Sequence, residues 1–181
     1  MKQFLLAAIC LVVVAACKNE PDKTTQTAIA GETTTTPGPV AFADQKYVDL
    51  GKKAWELFEA GDIDGWAGKF ADNAIFRWSA GDSLAGKAAI VKYWKDRRTN
   101  VIDSLHFSNE IWLPLNVNQP QSIEQKGVWL LNWYKVKATY KNKKTLSFWV
   151  HTDMHFTNDN LIDEVIQYID RAPINEALGK K

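Results

Sequence analysis

The sequence predicts one α+β domain in which a long, curled, mostly antiparallel sheet wraps around three helices. Two patterns predict it: apolar residues recur at helical spacing between residues 43 and 98, whereas apolar and polar residues alternate between residues 105 and 170. Helices gathered first and strands gathered last are typical of the α+β class. With 181 residues, 46% of them hydrophobic, the chain is long enough to bury one core.

The helical part of the pattern divides into three helices. The apolar face of the first is formed by Tyr47, Leu50, Ala54, Leu57 and Phe58. Gly61 should end this helix, because glycine readily adopts the left-handed conformation that follows a helix. A short second helix is expected over about residues 64–71, and a third over about residues 87–98.

The strands are predicted from alternation. Residues 73–79 form the first, ending in a turn at Gly81 to Ser83. The other four candidates cover residues 105–113, 128–140, 145–156 and 162–170. Short turns join the last three, which should therefore form an antiparallel meander.

The N-terminus has the pattern of a targeting segment. Residues 4–16 are apolar and follow Lys2, but they are fewer than the ~20 residues that a spanning helix needs. Val14-Ala15-Ala16-Cys17 resembles the lipobox of bacterial lipoproteins. The resemblance implies that residues 1–16 are a signal peptide and that lipidated Cys17 anchors the protein in a membrane of the bacterial cell envelope. An ordinary secretory signal or a short buried helix are the alternatives.

The domain organisation follows from composition. Residues 17–42 should be the lipidated cysteine and a flexible Thr/Pro-rich tether, because the stretch has too little apolar surface to fold. Residues 43–172 form the domain, and residues 173–181 are a C-terminal tail. Only two cysteines occur, Cys10 and Cys17, so the domain can form no internal disulfide.

The charge balance argues against a polyanionic partner. The chain has 22 basic and 21 acidic residues, for a formal charge of +1. Nucleic-acid binding usually requires a basic surface that neutralises phosphates, so we expect no nucleic-acid partner. Cleavage before Cys17 would remove Lys2 and leave a neutral body. Membrane attachment would then depend on the acyl chains.

Four segments resemble SnoaL-like and ketosteroid-isomerase-like domains of the nuclear transport factor 2-like superfamily. Their ranges are Ala60–Trp66, Phe70–Ala74, Leu84–Ile90 and Asn160–Asp170. The resemblance covers about residues 43–172 and implies a cone-shaped barrel with a pocket between the helices and the sheet. The superfamily includes isomerases, cyclases, dehydratases, epoxide hydrolases and binding modules, so the fold alone assigns no function.

The ketosteroid isomerase apparatus is missing from the matching positions. That enzyme uses an aspartate base together with a tyrosine and a protonated aspartate as hydrogen-bond donors. The position of the base falls on Trp78, that of the tyrosine on Ala54, and that of the second aspartate on Thr152. Isomerisation by this apparatus is therefore not expected.

Strand parity predicts the residues that line the interior. The polar or aromatic members of the inward set are Trp78, Asn132, Tyr134, Thr152 and Gln167. None of them carries a carboxylate or an imidazole. An apolar pocket with a few placed polar groups is typical of a small-molecule site. We therefore expect a small, largely apolar ligand, no cofactor and no acid–base chemistry in the barrel.

Two alternatives to a ligand pocket remain open from the sequence. The same residues could simply fill the barrel. Alternatively, Glu56, Asp103 or His106 could supply catalytic groups at the pocket mouth of a cyclase, isomerase or dehydratase.

His151, Asp153 and His155 alternate along one strand and are candidate metal ligands. Parity places them on the outer face of the sheet, where polar residues are expected in any case. The sequence therefore assigns no metal site.

An apolar surface is predicted on that outer face. It comprises Trp129, Leu131, Trp133, Trp149, Ile166 and Tyr168. Such a surface is seldom left in contact with water, so we expect a homodimer that covers it. A protein-interaction module working through this face is a further functional alternative, and a β-bulge that turns some of these residues inward is the structural one.

Overall fold

The computed structural model describes residues 38–120 and 125–180. The predicted signal peptide, Cys17 and most of the tether lie outside the described residues. The described part of the chain contains no helix long and apolar enough to cross a membrane.

The α+β class is confirmed. The helices are α1 (Lys46–Ala60), α2 (Ile63–Ala67), α3 (Lys87–Asn100) and α4 (Ala172–Ala177). The strands are β1 (Val40–Phe42), β2 (Phe70–Trp78), β3 (Ser83–Ala85), β4 (Ile102–Val117), β5 (Gly127–Tyr140), β6 (Thr145–Phe156) and β7 (Ile162–Tyr168). They form one curved sheet in the order β1-β4-β5-β6-β7-β2-β3.

The predicted meander is present, and β2 from the N-terminal half of the domain extends it beyond β7. Strands β4, β5, β6 and β7 pair in antiparallel fashion in chain order. Strand β2 pairs in parallel with β7, placing Phe76 opposite Val165 and Trp78 opposite Gln167. This pairing brings side chains from opposite ends of the domain into one interior.

Several element boundaries differ from the prediction. The second helix ends at Ala67, and Phe70 already belongs to β2, where it is buried. Residues at the end of the predicted tether form β1, which pairs with β4. The predicted tail contains α4, whose Ile174 is buried. These differences share one cause: short segments gain regular structure by pairing or packing against distant residues, which local spacing does not report.

The first helix packs closely on the sheet because of a glycine. A Cβ atom at Gly51 would overlap Leu130 Cδ2 and come within 2.9 Å of Trp112 Cζ3. The helix ends as predicted at Gly61, which has φ 82° and donates its N–H to Leu57 and Phe58 carbonyls. The buried face of α1 therefore packs directly against β4 and the first half of β5.

Aromatic rings fill the space between the helices and the sheet. Phe58 lies 5.0 Å from Trp66 and 4.8 Å from Trp94, measured between ring centroids. Edge-to-face pairs of this kind contribute about 0.5–1.5 kcal/mol beyond the burial of their area. The packed rings of α1, α2 and α3 thus form the base of the barrel.

Candidate functional site

Four of the five predicted lining residues form one chain of buried hydrogen bonds. Trp78 Nε1 lies 3.0 Å from Gln167 Oε1, and Gln167 Nε2 lies 3.3 Å from the Tyr134 hydroxyl. The Tyr134 hydroxyl lies 3.1 Å from Thr152 Oγ1. The chain joins β2, β7, β5 and β6 inside the barrel.

The direction of these hydrogen bonds is fixed by their first donor. An indole N–H can only donate, so the Gln167 oxygen faces Trp78 and its amide nitrogen faces Tyr134. The phenol oxygen accepts from that nitrogen, and its own hydrogen is then free to donate to Thr152. The Gln167 oxygen therefore accepts one hydrogen bond from Trp78, and the Tyr134 oxygen accepts one from Gln167.

Tyr134 is a neutral phenol under ordinary conditions. Burial raises its pKa to about 12, although the hydrogen bonds with Thr152 and Gln167 act in the opposite direction. A proton-transferring group works best when its pKa lies near the operating pH. Tyr134 is thus suited to hydrogen bonding rather than to proton transfer.

Two adjoining cavities lie beside this chain of hydrogen bonds. The outer cavity has a volume of about 70 Å³ and is lined by residues of α1, α3, α4 and β4 to β7. The inner cavity, about 20 Å³, lies between the helices and the sheet. Both are lined by Phe58, Trp94, Phe107, Tyr134 and Gln167. Among residues 38–120 and 125–180, no carboxylate or imidazole lines either cavity.

Of the predicted lining residues, Tyr134 and Gln167 reach the cavities directly. Trp78 and Thr152 hold these two side chains through the hydrogen bonds just described. Asn132 stands apart: it is fully buried, and its Nδ2 donates to the Ile111 carbonyl at 3.1 Å. Ile111 follows a register shift in β4, so Asn132 stabilises the irregular part of that strand.

The side chains considered for the pocket mouth do not line the cavities. Glu56 is exposed and pairs with Lys53. Asp103 lies between Lys141 and Lys143, which lower the pKa of its carboxyl. His106 Nδ1 lies 2.9 Å from Glu59 Oε1 at the outside of β4.

The three candidate metal ligands do not converge. His151 is stacked between Trp133 and Tyr168, with ring centroids 4.3 and 5.4 Å away. Its Nε2 lies 2.8 Å from Asp153 Oδ1 but without the alignment of a hydrogen bond. Within residues 38–120 and 125–180, no three His, Cys, Asp or Glu side chains are grouped as a metal ion would require.

His155 is buried, yet it lies outside the barrel interior. It is 6% exposed, with Nδ1 2.5 Å from Asp163 Oδ1 and Nε2 3.2 Å from the Lys126 carbonyl. Both neighbours are hydrogen-bond acceptors, so each ring nitrogen contacts one acceptor. His155 therefore holds the segment before β5 against the outer face and does not reach either cavity.

Only part of the apolar surface that strand parity predicts on the outer face of the sheet is exposed. Trp129 is 3% exposed, because the chain at Gln125 and Lys126 folds over it and accepts its indole N–H. Trp149 and Tyr168 are 56% and 47% exposed, and Ile111 of β4 adds a further exposed apolar side chain. The exposed surface is thus smaller than predicted and centred on β6 and β7.

Sequence reasoning missed two polar residues of α3 that line the outer cavity, Trp94 and Arg97. As a cation in the last turn of α3, Arg97 also interacts favourably with the dipole of its helix. The signal was present in the sequence: Ile90, Trp94 and Arg97 follow the i, i+4, i+7 spacing of one helix face. An arginine in that apolar series marks a cation facing the barrel.

No family model matches the chain, and no curated protein matches it. Several solved structures are similar to it. A candidate isomerase from Bacillus subtilis has a TM-score of 0.59 at 17% identity, covering 76% of this chain and 95% of that chain. A candidate polyketide cyclase from Xanthomonas campestris has a TM-score of 0.58 at 15% identity, covering 75% and 96%.

A third similar structure is a protein of unknown function from Burkholderia pseudomallei, described as NTF2-like. Its TM-score is 0.56 at 12% identity, and the alignment covers 72% of this chain and 95% of that chain. At such identities the likeness concerns the fold and not the activity. The chain has the nuclear transport factor 2-like cone fold.

Proposed function

We propose that this protein is a lipid-anchored envelope protein whose barrel binds a small, largely apolar molecule without acid–base chemistry. The observation that supports this function is the lining of the two cavities. Their walls are aromatic and aliphatic, and their polar side chains belong to Arg, Gln, Trp and Tyr. Such a lining offers binding and orientation but no general base that works near neutral pH.

The size of the outer cavity limits the ligand. One water molecule needs about 10–15 Å³ of cavity volume. A cavity of 70 Å³ therefore holds roughly five to seven atoms of that size. Drug-sized ligands occupy pockets of roughly 300–1,000 Å³. The proposed ligand is therefore small, with about six non-hydrogen atoms inside the barrel.

An enzyme of the cyclase, isomerase or dehydratase type is the alternative. Similar folds include a candidate isomerase and a candidate polyketide cyclase. Such an enzyme would need groups at the pocket mouth, but Glu56, Asp103 and His106 are engaged with neighbours away from the cavities. The lining favours binding over this alternative.

Cavity binding is tested with linear alcohols from propan-1-ol to octan-1-ol. Affinity should rise roughly fourfold per methylene, from about 0.8 kcal/mol per CH₂, until the cavity is full. Ala138→Leu fills part of the outer cavity, which Ala138 lines, and should abolish the binding of pentan-1-ol. Binding is measured by thermal shift and by NMR titration.

Ala60→Leu serves as the control, because Ala60 is exposed at the end of α1. This variant should bind like the wild type. Ala138→Val is a milder replacement in case Leu prevents folding. Unchanged pentan-1-ol binding in both folded Ala138 variants would contradict binding in the outer cavity.

The pH dependence of stability tests whether the Tyr134 phenol keeps its proton in the folded protein near pH 10 to 12. The unfolded phenol ionises near its ordinary pKa of 10.0, whereas burial raises the pKa in the folded protein to about 12. Between these values the unfolded state loses a proton that the folded state keeps. The free energy of unfolding should therefore fall by about 2 kcal/mol as the pH rises from 10 to 12.

Tyr134→Phe lacks this contribution and provides the reference. Denaturant unfolding of both proteins from about pH 9 to 12 measures the difference between their pH profiles. Parallel profiles would show that the folded phenol titrates normally. That outcome would reopen Tyr134 as an acid or base.

Lipid anchoring is tested at Cys17. The wild type, expressed in a bacterial host, should incorporate labelled palmitate and sediment with membranes. Cys17→Ser should do neither, whereas Cys10→Ser should behave like the wild type because Cys10 lies within the predicted signal peptide. Equal labelling of Cys17→Ser would exclude the anchor at this residue.

A second proposal concerns self-association through the outer face. Trp149 and Tyr168 are exposed on neighbouring strands, and burying large aromatic side chains favours association. The wild type should be a dimer by light scattering at micromolar concentration, and Trp149→Lys should shift it towards monomer. Ala60→Lys, on the helical side, should remain dimeric, and a monomeric wild type would refute this proposal.

A further inference from the structure

Arg97 brings a positive charge to the wall of the outer cavity. It lies in the last turn of α3 and is partly buried. Its guanidinium lies 5.6 Å from the ring centroid of Tyr93. No Asp or Glu of the described chain forms an ion pair with it, in contrast to Arg77 and Arg171, which contact Glu164 and Asp82.

Trp94 adds a buried donor one helical turn before Arg97. Its side chain lines both cavities and is 8% exposed, and its indole N–H has no hydrogen-bond partner. A buried polar group left without a partner costs about 1–3 kcal/mol. An unpaired N–H therefore belongs to a side chain of the cavity wall.

The inner cavity is also lined by residues whose buried hydrogen-bond donors have no partner. Trp55 and Trp66 line it, and both have buried indole N–H groups without a partner. The oxygen of Gln167 already accepts from Trp78, and that of Tyr134 already accepts from Gln167. Unpaired indole N–H groups therefore belong to side chains of both cavity walls.

Tyr140 extends this donor-rich wall at the outer cavity. Burial raises the pKa of its phenol, although the charge of Arg97 acts in the opposite direction. The phenol thus keeps its hydrogen at neutral pH and can donate it. Two donors and one cation then face the same small volume.

We propose that the outer cavity binds a small monocarboxylate, with its carboxylate at Arg97 and Trp94 and its short apolar tail among the aliphatic and aromatic walls. This inference rests on the proposed function and adds the chemical class of the ligand. Leu105, Phe148 and Ile169 supply apolar walls. A carboxylate accepts from several donors at once, and its charge complements the unpaired guanidinium.

The test compares pentanoate with pentan-1-ol, which share a five-carbon chain and differ in the charged end. Pentanoate should bind at least tenfold more tightly to the wild type. Arg97→Gln should weaken pentanoate binding about ten- to a hundredfold while changing the affinity for pentan-1-ol less than twofold. Arg97→Lys, which keeps the charge, should recover part of the loss.

The indole N–H signal of Trp94 provides a second measurement. It should move downfield in the NMR spectrum on adding pentanoate, and Trp94→Phe assigns it. The comparison of the two ligands in the wild type needs no variant, so equal affinities would overturn the inference even if Arg97→Gln does not fold.

The possible outcomes separate the inference from the proposed function. Equal affinity of the wild type for pentanoate and pentan-1-ol would overturn the carboxylate inference and leave cavity binding supported. Tighter pentanoate binding that Arg97→Gln leaves unchanged would also overturn it, because the charge would then be recognised elsewhere. Binding of neither compound would overturn both the proposed function and the inference.

Discussion

The interior of this barrel depends on one constraint: polar side chains from four strands are buried together, so each needs a hydrogen-bond partner within the protein. Trp78, Gln167, Tyr134 and Thr152 satisfy this constraint through three consecutive hydrogen bonds. Because an unpaired polar group costs more than a hydrogen bond gains, each of these bonds fixes the register of the strands that carry it. The parallel pairing of β2 with β7 brings Trp78 opposite Gln167. A slip of one residue would turn Gln167 out of the barrel.

This constraint also accounts for the neutral side chains of the hydrogen-bonded chain. A carboxylate in the place of Gln167 would require a compensating positive charge in a region closed by aromatic rings. The chain instead keeps its charged pairs on the outside, where Arg77 contacts Glu164 and Arg171 contacts Asp82. The fold is one that elsewhere supports candidate enzymes, and here its interior carries amide, hydroxyl and indole groups.

Much of the fold could be predicted because its main patterns are local. The apolar face of α1, its end at Gly61, and the alternation along β5 and β6 follow from neighbouring residues. Strand β1 and the burial of Trp129 could not be predicted, since each depends on a segment distant or irregular in the sequence. For the site, parity identified Tyr134 and Gln167. It could not distinguish a residue that lines a cavity from Asn132, whose amide binds the irregular part of β4.

Two explanations can be compared for the presence of a cation at Arg97. At the C-terminal end of α3, a cation interacts favourably with the helix dipole, worth about 0.3–1 kcal/mol, and needs no other partner. That explanation applies equally to Arg98, which follows it. Arg98 Nη2, however, donates to the Glu59 carbonyl, whereas Arg97 lines the outer cavity beside an unpaired indole N–H. The dipole explains why arginine is tolerated at this end of the helix, but it does not explain a guanidinium on the cavity wall. Recognition of a charged ligand accounts for both the position of Arg97 and the unpaired donor of Trp94.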